Sequence, residues 1–367
     1  MMAGPYEQFE LLKYTPLKIL QEYRSRSQRG ISLSKDSSGL PSGTFLDFIN
    51  HVSQKNSSKE MLSQITQMSP QMIYADQVGS VRLPFYDVTL SGIRWDVKNP
   101  TITNIKRAGD FSKEEVLIKN SGIFRIHLCP HVFQRLHISY SLEPAVHAVV
   151  VELTLEEGSF CDFTEIIPSL PSETYLARLL KIQLKKNAYI CHMLERKGHS
   201  GYVRSDIMVE LDEQGARACL WGALEGNGTS HNDLVTVISH RASGTDSHQF
   251  YKLNLDQQGR LSSLHHVMIS SDARESNAQQ LVKALLLNDQ VDVKVKPMLD
   301  IRCDEVKANH GVAFSTLSGE ELFYLKSRGI PEDQARLLLE SGFLSEVYAL
   351  KEQDCDREMS KRFSTPI

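Results

Sequence analysis

No stretch of this chain approaches the roughly 18 consecutive apolar residues that a membrane-spanning helix needs. Its best run, Ala145 to Leu155, is interrupted by His147 and Glu152. The opening residues MMAGPYEQFE carry acids and no hydrophobic signal core, so no export signal and no membrane attachment are expected, and the cytoplasm is the expected compartment. An excess of one charge is also lacking. The 41 basic residues against 45 acidic ones leave a net charge of −4. That is no global field for holding phosphate backbones, and no nucleic-acid partner is expected. The six cysteines lie far apart without a CxxC pair, which excludes a locally spaced metal knuckle or a disulfide framework. They read as reduced, mostly buried, small hydrophobes. Absent too are GxxxxGK[ST], GxSxG, HExxH and the kinase signatures, so the chain is not expected to hydrolyse ATP unaided or to belong to the common enzyme classes.

What is present falls into three regions. Tyr6 to Tyr23 and Thr44 to Met68 place apolar residues at helical spacing, on either side of a Ser-, Gly- and Lys-rich stretch. From about residue 80 the period changes to two: Ile207, Val209 and Leu211 alternate with Met208 and Glu210, and Val291, Val293 and Val295 with Asp292, Lys294 and Lys296. Many short strands punctuated by glycines, with no fixed repeat of 20 to 50 residues, leave sandwich, barrel and solenoid open. Leu170 to Lys186, with Leu176, Leu179, Leu180 and Ile182, is expected to be an interior helix. The Gly226-Asn-Gly228 pair reads as a tight turn. In the tail, Ser318-Gly-Glu-Glu321 has capping-box spacing, Gly329 supplies a stop and Pro331 opens a second helix. A helical hairpin follows from this, with residues after Gln353 frayed.

Thirteen histidines are many for this length. Each of them reads first as a structural or surface imidazole, His310 excepted; the adjacent His265 and His266 would point to opposite faces of a strand and so would not share a metal. The tail's apolar residues, Leu322, Phe323, Leu325, Leu338, Leu339 and Phe343, have two readings: packing on the chain's own β region, which pattern alone favours, or lying in a partner's groove.

The string Lys296-Pro-Met-Leu-Asp-Ile-Arg-Cys-Asp-Glu-Val-Lys-Ala-Asn-His310-Gly, followed by Glu321-Leu-Phe-Tyr-Leu-Lys-Ser-Arg-Gly329-Ile, resembles the signature of the SufB/SufD family. Upstream, His231-Asn-Asp233, Ile238-Ser-His240, Tyr251-Lys252 and Leu285-Leu-Leu287 fall in the family's order. The likeness covers roughly 160 residues. It implies a mainly β fold, a right-handed parallel β-helix flanked by helical N-terminal and C-terminal regions. The corresponding division is a helical region at 1–80, a β-helix core at 81–315, and a hairpin and tail at 316–367. It implies a scaffold subunit of the SUF iron–sulfur cluster assembly complex, not an enzyme in its own right, with a SufB-like subunit and a SufC-type ATPase as partners and a homodimer when isolated. No permanent cofactor is implied, only transient iron or an iron–sulfur cluster shared with SufB.

Two places set this chain on the SufD side of the family. Where SufB has Glu-His-Glu, this chain has Asn309-His310-Gly311, and Leu281 to Lys283 lacks the cysteine that SufB carries nearby. Thiolate and carboxylate donors for persulfide chemistry are therefore missing there. By resemblance His310 is a candidate cluster or iron ligand at the subunit interface, and the tail residues named above are the ATPase-docking set. Ala308, where the family often has cysteine, and Leu261-Ser-Ser-Leu-His-His266, where it has an aromatic and a glycine, depart from the pattern. The rival readings are a SufB-like self-sufficient scaffold and a carbohydrate-active enzyme on a β-helix.

Overall fold

The computed structural model describes residues 122–363 continuously, and before them 82–83, 88–89, 102–105 and 112–119. The helical stretches expected at 6–23 and 44–68 lie outside the described residues. A short antiparallel pair, β1 (Arg82–Leu83) and β2 (Val88–Thr89), precedes sixteen strands that divide between two parallel sheets. The odd sheet holds β3 (Ile102–Ile105), β5 (Gly122–Leu128), β7 (Val146–Leu155), β9 (Tyr175–Leu184), β11 (Tyr202–Leu211), β13 (His231–His240), β15 (Arg260–Ile269) and β17 (Asp292–Ile301). The even sheet holds β4 (Ser112–Ile118), β6 (Phe133–Tyr140), β8 (Phe160–Ile167), β10 (Tyr189–Arg196), β12 (Arg217–Gly226), β14 (Asp246–Leu255), β16 (Asn277–Leu286) and β18 (Lys307–Thr316). Successive strands lie in opposite sheets, so two strands and their turns make one coil, and the whole is a parallel β-solenoid of about 7 turns.

Parallel pairing puts register partners on the same face, one coil apart. The column Phe163, His192, Leu220, Gln249, Gln280 therefore faces the lumen throughout, among Ile190, Leu194, Ala218, Leu253 and Val282 of the apolar core. Corners are set by backbone handedness. His131, Gly158, Asn187, Gly215, Gly244 and Glu275 occupy equivalent turns and all have positive φ. His131, Gly158, Asn187, Gly244 and Glu275 each donate a backbone N–H to a carbonyl of the following coil. At the opposite corner Gly228 has φ +59, and a Cβ there would meet the His199 carbonyl oxygen at 2.2 Å, so glycine is required.

The helix expected over Leu170 to Lys186 is instead strand β9. Leu176, Leu180, Ile182 and Leu184 face the lumen, while Tyr175, Ala177 and Leu179 on the other face are buried as well. A strand buried on both faces reads as a continuous apolar run and loses its period of two.

The lumen also carries charge. Glu165 on β8 is paired to Arg178 on β9, both fully buried, with Tyr140 donating to the same carboxylate and His192 Nε2 at 3.3 Å. Burial alone would raise the Glu165 carboxyl, but Arg178 and His192 beside it hold it down at about 2. Three lumen imidazoles go the other way on protonation. Burial lowers His265 to about 3 and His240 to about 4, and it lowers His192 as well. Each is neutral in the fold and accepts a proton more readily when unfolded, so the stability it supports is complete above its unfolded pKa of about 6.5 and falls below it. The expected result is a chemical-denaturation midpoint that is flat above about pH 7 and declines below about pH 6.5 by ~1.4 kcal/mol per imidazole per pH unit. Glu165 adds its own loss as pH falls from about 5 toward 2. Denaturant melts across pH 3 to 8 check this.

Two helices close the chain, α1 (Gly319–Ser327) and α2 (Glu332–Phe363). The Ser318 side chain accepts from the Glu321 N–H and caps α1, and Gly329, with φ +85, turns the chain out of it. The frayed tail expected after Gln353 is instead helical to Phe363, because α2 has a seat. It lies on the outer face of the even sheet, where Leu344, Val347 and Cys355 join Phe160, Tyr189, Met193, Trp221 and Phe250 in one apolar cluster. Polar clasps run along the same contact: Lys351 to Asp162, Tyr189 to Asp354, Arg217 to Glu358 at 2.7 Å, Asn254 to Glu340 at 3.2 Å, and Lys252 to Glu346.

Candidate partner-binding surfaces

The first surface is the far end of the solenoid. Strands β17 and β18 each pair on one side alone among the described residues, which leaves two parallel backbone edges open. His310 lies on β18 opposite Gln280, so its side chain shares the lumen face with Ala308 and Val312, in the last coil, where it is exposed. Across the lumen stand Val293, Val295 and Leu299 of β17, half-buried. Ile301 and Phe314 at this end are 43% and 53% exposed. Ala308, at the place where the family often has cysteine, is therefore two residues from His310 on the same face. Just below, Gln280 is buried with no partner for either end of its amide. Gly311 points to the outer face with Leu281, whose Cδ1 would lie 3.3 Å from a Cβ there.

Among the described residues no group of three or more His, Cys, Asp or Glu side chains is arranged to hold a metal ion. His310 is one imidazole at an open edge.

The second surface is the free end of the hairpin. Phe323 is 72% exposed, Leu337 61%, Tyr324 55% and Leu338 54%. Glu320, Glu321, Tyr324, Leu325 and Leu339 line a shallow depression between the helices. Leu322, Leu325 and Leu339 are half-buried. Phe343 packs toward the rod, its ring 4.2 Å from Lys252 Nζ and against the cluster beneath α2. Self-packing therefore accounts for Phe343 and for Leu344, Val347 and Cys355 beyond it, which seat the helix on its own sheet, whereas Phe323, Tyr324, Leu337 and Leu338 are exposed. Sequence reasoning missed Ile301, Phe314, Tyr324 and Leu337. The run Leu337-Leu-Leu339 carried the last of these, since three successive residues on a helix span about 200° and cannot all face one neighbour.

The described residues thus form a two-sheet solenoid with an open terminal coil and a C-terminal helical hairpin that exposes large apolar side chains. Comparison gives its kind. Residues 130–343 match the family described as SUF system FeS cluster assembly, SufBD core domain, and the chain belongs to that family. It is 33% identical over 124 residues to an iron–sulfur cluster assembly SufBD family protein of Synechocystis, a match covering 34% of this chain and 27% of the relative. It is 28% identical over 131 residues to the iron–sulfur cluster assembly protein SufD of Escherichia coli, covering 35% and 31% respectively. A chloroplastic protein of Arabidopsis thaliana is 44% identical over 82 residues, covering 22% and 17%. The chain thus spans less than a third of the length of each of these three relatives. No helix among the described residues is long and apolar enough to cross a membrane.

Proposed function

We propose that this chain is a SufD-type scaffold subunit without a reaction of its own. It pairs with a SufB-like subunit through the open end of its solenoid and is gripped by a SufC-type ATPase at the α1–α2 hairpin. The observation that carries this is the exposed apolar group Phe323, Tyr324, Leu337 and Leu338 on a hairpin whose other end is fastened to the rod. Large apolar side chains left in water on a rigid support mark an interaction site. Iron or an iron–sulfur cluster is then the cargo, assembled at the seam between two rods with His310 as one donor, and six free cysteines suit the cytoplasm as compartment. Nucleotide can move the scaffold only if the ATPase binds one arrangement of the tails better than another.

The test is co-purification of the full chain with its SufB-like and SufC-type counterparts. Phe323→Asp with Leu338→Asp is expected to remove the ATPase while leaving the SufB-like subunit bound and the melting temperature unchanged. In the same complexes, His310→Ala is expected to lower the iron and sulfide recovered without separating the subunits. Full ATPase retention by the double variant would refute the docking role. Efficient cluster formation by the chain alone, with a cysteine desulfurase and iron, would show a self-sufficient scaffold instead.

A further inference from the structure

Beneath α2 lies a group of thiols that the pairing and docking roles do not use. Cys191 on β10 and Cys219 on β12 are register partners in adjacent strands and stand on the outer face of the even sheet. Cys355 comes down on that face from α2, and all three are buried in one cluster with Trp221 and Val347. Cys191 Sγ is 4.0 Å from the Lys351 carbonyl oxygen, one helical turn before Cys355. After burial itself, the neighbouring Cys355 side chain is the next influence pushing the Cys191 thiol up. Every cysteine of the chain is free. Two thiols buried in one cluster are the reactants that disulfide formation needs.

We propose that Cys191 and Cys355 form a reversible disulfide that latches α2 to the solenoid. The pair joins the moving part to the fixed part: Cys355 is on the helix that carries the hairpin, and Cys191 is in the sheet beneath it. While the helix is seated the latch is protected, because burial pushes the Cys191 thiol well up and keeps it protonated. Lifting α2 brings Cys355 into water. Its thiolate attacks a peroxide, the S–O bond forming as the O–O bond breaks and hydroxide leaves. While the helix is still lifted, Cys191 also meets water and gives up its proton, and its thiolate attacks the Cys355 sulfenic acid: the S–S bond forms, the S–O bond breaks, and the departing hydroxide takes up a proton to leave as water. In sum, two thiols and one hydrogen peroxide give one disulfide and two waters, sulfur being oxidised and peroxide oxygen reduced. A latched helix can no longer lift, so the hairpin is fixed relative to the rod. This inference stands on the seating of α2 and is independent of which partner the hairpin binds.

The full chain is treated with hydrogen peroxide and mapped by non-reducing peptide mass spectrometry alongside a thiol count under denaturing conditions. The expected result is a Cys191–Cys355 linked peptide, a count falling from six to four, and reversal by dithiothreitol. Cys355→Ser is expected to abolish the link with the circular dichroism melt preserved, and Cys219→Ser to leave it intact. Lys351→Ala, which removes the clasp to Asp162, is expected to speed latching severalfold by letting the helix lift more often. A Cys191–Cys219 link, a link between chains, or sulfinic acid at Cys355 without any link would overturn the proposal. So would a latching rate in Lys351→Ala equal to that of the parent chain.

Discussion

Glu165→Ala is expected to lower stability by about 3–5 kcal/mol, the cost of leaving a buried cation without its counter-charge. For a domain of this size that is a fall of roughly 10 °C in melting temperature. Among the described residues Glu165 is the carboxylate paired with Arg178, whose side chain is fully buried in the lumen. The pair also ties the two sheets together, since Glu165 belongs to β8 and Arg178 to β9. Replacing both, as Glu165→Ala with Arg178→Met, is expected to recover much of the loss, because a desolvated charge no longer remains. Thermal and denaturant melts of the single and double variants check this. A single variant as stable as the parent would show that water reaches Arg178.

Val347→Asp is expected to unseat α2 while the solenoid stays folded. Val347 is fully buried in the seam between helix and sheet, and a carboxyl held there without a partner costs roughly 2–7 kcal/mol. Lifting the helix is the cheaper outcome. In a solenoid each coil contacts its neighbours, so losing an external helix does not propagate along the lumen. Trp221, 3% exposed beneath α2, reports the change. Its emission should shift to the red, and protease cleavage should appear in α2 while the main melting transition is retained. An unshifted Trp221 spectrum would mean that the polar clasps alone hold the helix.

Much of the fold was legible, for reasons that differ by region. The hairpin boundaries followed from local chemistry: a serine cap, a glycine at positive φ and a proline each act within a turn of chain. Strand alternation was readable where one face is polar, as in Val293 and Val295 against Asp292 and Lys294. It failed in β9, where both faces are buried. The repeat escaped a search for a fixed period because the coils are unequal. Tyr175 lies 27 residues from its register partner Tyr202, Tyr202 lies 29 from His231, and Arg260 lies 32 from Asp292. The corner position is conserved in handedness but not in residue type, so glycine marked only half of the six equivalent turns.

The sequence by itself determined the composition class, the tail's caps and, through the residues around His310, the resemblance to the family. These depend on neighbours in the chain or on residue identity. The tertiary structure alone decided that β9 is a strand, that the last turns of α2 are ordered, that Glu165 meets Arg178, and that Cys355 is buried in one cluster with Cys191. Each of these depends on contacts between residues 13 to 189 positions apart, which come together only when the coils stack and the helix lies across them.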